Sequence, residues 1–186
     1  MNASWRGRFF EDLKVGDVYQ SWLGRTITEA DNVWFTNLTM NTNQIHFNDV
    51  WAKRTEFDRT LVVSTLTLAL VVGLSVRDTS ENALANLGWK EISLPRPVFV
   101  GDTLWAESEV LSRRSSRSRP STGIVSVRTR GINQTGEVVI EFDRSFLAFK
   151  TDAPEVRGAF PRVSDGESVR SERPRLPIEG KDGTER

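Results

Sequence analysis

Two periodicities divide the chain. From Ala83 onward apolar and polar residues alternate, most cleanly in Leu104-Trp105-Ala106-Glu107-Ser108-Glu109-Val110 and Ile124-Val125-Ser126-Val127-Arg128, the period of half-buried strands. Four strands are predicted, over 84–94, 102–112, 123–132 and 138–150. They are joined through Pro95-Arg96-Pro97 and Gly101-Asp102, through the Arg/Ser stretch 113–120, and at the hairpin signal Asn133-Gln134-Thr135-Gly136. Upstream, Val18 to Trp22 reads as a short strand. Thr28 is a suitable N-cap for a helix from Glu29 to Met40, with Glu29 and Asp31 in its first turn. Ala30, Val33, Trp34 and Leu38 make the apolar stripe of that helix, and one further step predicts an inward carboxamide at Asn41. Left unpaired there, the carboxamide would cost about 1–3 kcal/mol. Asn48 or Asp49 caps a short second helix through Ala52.

The longest apolar run, Leu61 to Val76, is broken by Ser64, Thr65, Thr67 and Ser75. It falls short of the roughly 20 apolar residues that cross a bilayer and reads as a helix buried on most sides. Gly73 inside it costs up to about 1 kcal/mol relative to alanine unless a sheet packs closely there. A strand, then helices, then an antiparallel meander make an α+β domain, with one long helix against one sheet.

Composition narrows the chemistry. Lys+Arg and Asp+Glu balance at 25 each in 186 residues, which gives no argument for nucleic acid or a membrane as partner. The absence of cysteine excludes disulfides, thiolate nucleophiles and thiolate metal sites, and a single histidine argues against a histidine metal site. No secretory leader is read at Met1 to Phe10, so a cytoplasmic protein is the expectation. Residues 1–150 form the expected domain. Residues 151–186 hold four of the seven prolines with interleaved charge, and are expected to be disordered or draped over the surface. The tryptophans, Trp22, Trp34, Trp51, Trp89 and Trp105 among them, are expected in the core and at a dimer interface.

The single histidine, His46, lies in the polar cluster Asn41-Thr42-Asn43-Gln44-Ile45-His46 between the two helical segments. It is either a half-buried ring satisfied by a neighbouring carbonyl or the proton-handling group of a site, since histidine titrates near neutral pH. Together with Gly24-Arg25-Thr26-Ile27-Thr28-Glu29-Ala30-Asp31 and Pro97-Val98-Phe99-Val100-Gly101-Asp102-Thr103-Leu104, the cluster resembles the MaoC-like hydratases and dehydratases. That family has the hot-dog fold and includes the (R)-specific enoyl-CoA hydratases. Its motif Asp-x-Asn-Pro-(aliphatic)-His is matched at Asn43, Ile45 and His46. It departs at Asn41, which stands where the family has its catalytic Asp, and at Gln44, which replaces Pro.

The resemblance implies a hot-dog protomer that pairs edge to edge into a homodimer, or a higher oligomer built from it, with an acyl-CoA tunnel between subunits. It implies no cofactor, coenzyme A arriving as the thioester substrate. His46 would act as acid or base, Asn41 would orient water, and the Ser64 N–H would serve as oxyanion donor. Asn43, Gly88, Arg117 and Arg119 would bind substrate, the arginines by holding phosphates. The reaction implied is addition of water to an enoyl-CoA, with a branched or dicarboxylic acyl group among the candidates. Alternatives are a non-catalytic acyl-CoA binder, because Asn41 carries no proton, and a one-base or Asp31/Asp49-assisted enzyme. A thioesterase ranks lower, since Leu61-Val62-Val63-Ser64 offers no carboxylate at the helix head.

Overall fold

The computed structural model describes residues 6–156. Two short strands, β1 (Val18–Gln20) and β2 (Arg25–Thr26), precede the helices α1 (Glu29–Leu38), α2 (Asp49–Ala52) and α3 (Ser64–Ser75). The long strands β3 (Ala83–Ser93), β4 (Thr103–Ser115), β5 (Thr122–Asn133) and β6 (Val138–Phe149) follow, as the alternation predicts. β2 is too short for any periodicity to show. It pairs Arg25 with Leu104 and Thr26 with Thr103.

The sheet runs β1-β4-β5-β6-β3, with β2 also on β4, and every pairing is antiparallel. α3 lies across β4 and β5. Val63, Leu66 and Val71 from the helical side meet Leu104, Ala106, Ile140 and Phe142 of the sheet. A second cluster joins Phe10 and Leu13 to Val110, Val125, Val127 and Phe146. Between Phe142 and Phe146 on the same face of β6 sits Arg144, only 1% exposed. Its Nη2 donates to the hydroxyls of Ser75, the last residue of α3, and of Thr79 and Ser80 in the π-helical turn Val76–Ser80 that follows it. Burial pulls this guanidinium down to about 10, so it stays charged at neutral pH. The C-terminal end of a helix is where a cation is favoured.

Three expectations are corrected here. α3 is buried or half-buried along most of its length but open on one side: Leu66, Thr67, Val71 and Ser75 face inward, and the exposed Gly73, with the half-buried Leu70 and Leu74, lines an outer groove of about 290 Å³ with Trp22 and Leu23. Among the described residues no second layer covers that side. Gly73 is not where helix and sheet approach, since a Cβ there would meet nothing within 4 Å. The close approach is at Gly131 on β5, where a Cβ would stand 2.6 Å from methyls of both Val71 and Ile140.

The third correction concerns α1. Trp34 and Leu38 are 69% and 76% exposed, and the residues turned inward are Asn32 and Thr36, with Phe35 packed against the main core. The helical period holds, but its phase is set by hydrogen bonding rather than apolarity. Trp22 and Trp34 are likewise exposed in the single chain. Of the segment 151–186, residues 151–156 lie against the body, with Ala153 buried and Thr151 N–H donating to Glu11. Residues 157–186, on which the expectation of a disordered or draped tail falls, lie outside the described residues.

The two glycines make opposite predictions. Gly73→Ala should raise stability by about 0.5–1 kcal/mol through helix propensity alone. Gly131→Ala should lower it by roughly 1–3 kcal/mol by overpacking against stiff β-branched side chains. Urea denaturation of the two variants checks both signs.

Candidate active site

α1 starts with a reciprocal cap. The Thr28 hydroxyl accepts from Asp31 N–H, and the Asp31 carboxylate accepts from Thr28 N–H and hydroxyl. These Thr28 bonds, with Arg25 as a salt-bridge partner at 2.8 Å, hold the Asp31 carboxyl below the usual carboxylate range. Asp49 is the first-turn acid of α2. Both carboxylates thus have helix-end positions that account for them.

α1 ends in a Schellman motif. Asn41 N–H donates to Thr36 O, Met40 N–H donates to Asn37 O, and Met40 takes the left-handed conformation at φ 54°, a position glycine usually fills. The chain then folds through its own amides. Asn41 Oδ1 accepts from Asn43 N–H at 3.0 Å and Asn43 Oδ1 from Ile45 N–H at 3.3 Å, two Asx turns that compete with helix continuation. A single 3₁₀ turn, Gln44–His46, follows. Asn48 caps α2 by accepting from Trp51 N–H, and its own amide donates to Gln44 Oε1.

What positions this loop is Asn32. Its Nδ2 donates to His46 O at 2.8 Å and to Leu61 O at 2.9 Å, while its Oδ1 accepts from Val63 N–H at 2.9 Å. Asn32 is 1% exposed, and its one carboxamide satisfies a buried N–H and two half-buried carbonyls. Ile45 O adds a bond from Leu61 N–H. The loop is thereby sewn to the segment leading into α3.

The His46 ring continues the same stitch, its Nδ1 standing 3.0 Å from Leu61 O. A carbonyl can only accept, so Nδ1 carries the hydrogen and the neutral ring presents Nε2 as its basic nitrogen. His46 and Ser64 line one cavity of about 320 Å³ with Phe57, Thr67, Leu94 and Arg96. Ser64 is the first residue of α3, and the Val63 N-cap position offers no side-chain cap. The first-turn N–H groups and the helix dipole are therefore uncommitted to a capping side chain and suited to negative charge. A base, a helix-terminal donor and an apolar wall are what acid–base chemistry on a carbonyl compound needs.

The sequence-expected residues divide in their placement. His46 and Ser64 share the cavity. Asn41 is half-buried and closes its Asx turn, and Asn43 is exposed in the next one; neither lines the cavity. Gly88 pairs with Ser145 in the middle of β3. Arg117 and Arg119 line two clefts at the β4–β5 turn, and these share no residue with the His46 cavity. Two residues went unread in the sequence. Asn32 had only its four-residue spacing from Thr36 to mark it. Arg96 is a cation held between Pro95 and Pro97, and it lines the cavity. No group of three or more His, Asp or Glu among the described residues could hold a metal ion.

Known proteins carry the same arrangement of sequence. A family model described as mesaconyl-CoA hydratase matches residues 1–182. This chain belongs to the mesaconyl-CoA hydratase family, within the MaoC-like proteins. It is 36% identical over 160 residues to a mesaconyl-CoA hydratase of Cereibacter sphaeroides, covering 85% of this chain and 46% of that one. It is 34% identical over 165 residues to a β-methylmalyl-CoA dehydratase of Chloroflexus aurantiacus, covering 88% and 47%. The chain spans about half the length of these curated relatives.

Among solved structures, a putative MaoC domain protein dehydratase from Chloroflexus aurantiacus superposes with TM-score 0.77 at 33% identity, over 89% of this chain and 47% of that one. A Mycobacterium tuberculosis protein with a double hot-dog fold, 22% identical, superposes with TM-score 0.72 over 88% and 49%. The latter bears on fold alone, and the fold of the present chain is a single hot dog.

Asn32→Ala should leave His46 O and Val63 N–H without their partner, while Leu61 O keeps its bond from the His46 ring. Each buried group left unsatisfied costs about 1–3 kcal/mol. The variant should therefore lose at least about 2 kcal/mol of unfolding free energy in urea, against less than about 0.5 kcal/mol for an exposed control such as Asn37→Ala.

Proposed function

We propose that this protein adds water reversibly to an enoyl-CoA thioester, and that its acyl group is branched and dicarboxylic. The observation that carries the reading is the cavity shared by His46 and the uncapped head of α3. The relatives' names supply the acyl group: mesaconyl and β-methylmalyl are branched diacid residues that differ by one molecule of water.

In this reaction His46 Nε2 accepts a proton from water as the oxygen bonds to the β-carbon. The C=C pair moves into the thioester, whose developing enolate oxygen is held by the Ser64 N–H. The proton then passes from His46 to the α-carbon, which returns the neutral imidazole and leaves one water added overall. Asn41 and Asn43 hold the turn that presents the ring. No cofactor is required by this sequence of steps. Acyl-CoA chemistry makes the cytoplasm the setting of the reading. No helix among the described residues is long and apolar enough to cross a membrane.

The active unit is a homodimer joined at β3. This edge strand carries exposed Leu84, Leu87, Trp89 and Ile92, a combination that invites pairing. Gly88 stands at the midpoint of its eleven residues, so a two-fold antiparallel pairing centres there. That pairing sets the start of one β3 beside the end of the other. Leu94 at the end lines the His46 cavity, and Leu84 and Leu87 at the start share a cleft with Arg119. Arg117 and Arg119 therefore serve coenzyme A phosphates across the subunit boundary. Sedimentation should give twice the chain mass for the native protein and the monomer mass for Leu87→Glu.

One observation favours a second reading. Asn41 cannot hold a proton, as a non-catalytic acyl-CoA binder would allow. A thioesterase has less support, because Leu61-Val62-Val63-Ser64 at the head of α3 offers no carboxylate. Mesaconyl-CoA mixed with the protein should lose its enoyl absorbance, and His46→Ala should lower kcat/KM by about 100-fold or more. Native turnover tuned only several-fold by Asn41→Asp supports the one-base hydratase. Binding without turnover, with activity appearing in Asn41→Asp, supports the binder. Release of free thiol would instead indicate a thioesterase.

A further inference from the structure

The described residues lining the His46 cavity are mostly hydrocarbon, and among them Arg96 carries the one permanent charge. Its backbone is held by chemistry the sequence dictates. Pro95 and Pro97 have fixed φ, and a residue before proline is confined to extended conformations. The segment is anchored to the approach of α3 by Val62 N–H donating to Val98 O at 2.9 Å and by the Leu61–Phe99 bridge. Arg96 thus stands on a rigid strap tied to the segment that also receives the His46 ring bond.

The guanidinium is half-exposed, and Glu137 holds it by one edge, Nε to Oε1 at 3.0 Å. Its Nη1 makes only a long contact of 3.5 Å with Val138 O. A salt bridge so exposed contributes little to stability; its effect here is to orient the fork. The terminal nitrogens are left to meet a planar oxyanion, the geometry in which arginine surpasses lysine. The neighbouring Arg59 is occupied on the Phe99 ring, 3.6 Å from its centroid.

We propose that Arg96 is the specificity residue that binds the free carboxylate of a dicarboxylic acyl-CoA, at the end of the cavity away from the thioester. The inference rests on the hydratase reading for its substrate class. Selectivity follows from the charge-assisted, forked hydrogen bonds that the terminal nitrogens make to a carboxylate and that an uncharged acyl group does not offer. Glu137 is then the internal carboxylate that the substrate joins or displaces.

The test uses Arg96→Gln and Arg96→Lys in the full chain, with thermal melts to establish folding. Two readouts are taken. One is the ratio of kcat/KM for mesaconyl-CoA to that for uncharged crotonyl-CoA. The other is the ratio of binding constants, by calorimetry, for the saturated thioesters methylsuccinyl-CoA and butyryl-CoA. Both ratios should favour the carboxylated thioester in the native protein and fall about 10- to 100-fold in Arg96→Gln. Arg96→Lys should lie between, keeping the charge and losing the fork.

A native protein without preference, or an equal loss on both thioesters, overturns the inference; equal loss would assign Arg96 to the coenzyme A portion. If neither enoyl-CoA turns over, the hydratase reading fails and the binding ratio still decides Arg96.

Discussion

One carboxamide holds the architecture to its chemistry. Asn32 donates twice and accepts once, joining a helix to backbone groups 14, 29 and 31 residues further along the chain. These groups belong to two segments that do not pair as strands and are otherwise joined by the Leu61 N–H bond to Ile45 O and the His46 ring bond to Leu61 O. With Asn32 in place, the loop bearing His46 and the entry to α3 become one body. The cost falls on α1, which turns a polar stripe inward and leaves Trp34 and Leu38 in solvent. Apolar burial of those two side chains would have been worth roughly 1.5–3 kcal/mol each. His46 O and Val63 N–H, which have no other partner among the described bonds, would have cost about 1–3 kcal/mol each left unpaired. The local conflict is resolved in favour of hydrogen bonding, and this happens beside the candidate active site.

The same stitch reconciles two roles of His46 that looked like alternatives. The ring is half-buried and bonded to a carbonyl, as a structural histidine would be. That bond also chooses the tautomer, orients the ring and leaves Nε2 as the nitrogen with a lone pair. Structural satisfaction of one ring nitrogen is what prepares the other for proton transfer. Ser64 shows a parallel economy. The helix head lacks a side-chain cap, a small loss for stability, and the uncommitted donors are those an enolate oxygen would use.

The strands were legible because alternation over many residues leaves little choice of register face. β4 shows it most clearly, with Leu104, Ala106, Ser108 and Val110 buried in turn. The thin part of the reading was β3, where the residues facing solvent are themselves apolar. α1 was legible in its period, its Thr28 cap and its start, but its end falls at Leu38 rather than Met40 and its phase was not legible. A moment computed from apolar residues assumes they are the ones buried, and Asn32 reverses that. Gly73 misled for a related reason, since glycine in a helix marks close packing only when something lies opposite. The partner surface was Gly131, whose position in an alternating strand carried no signal. His46 and Ser64 could be read from a motif and a helix head. Arg96 could not, because its meaning comes from a strap folding back across the entry to α3.

The open surfaces of the single chain are unequal in what they demand. The groove outside α3 is apolar and needs only cover, which many surfaces could give. The β3 edge is different: its outward main-chain groups need a strand, and its exposed Leu, Trp and Ile side chains set a register. In the homodimer proposed above, that edge is also where a second subunit meets the Leu94 end of the His46 cavity. Edge hydrogen bonding, the proposed dimer and access to the imidazole then reduce to one constraint, the β3 edge that the described residues leave unpaired.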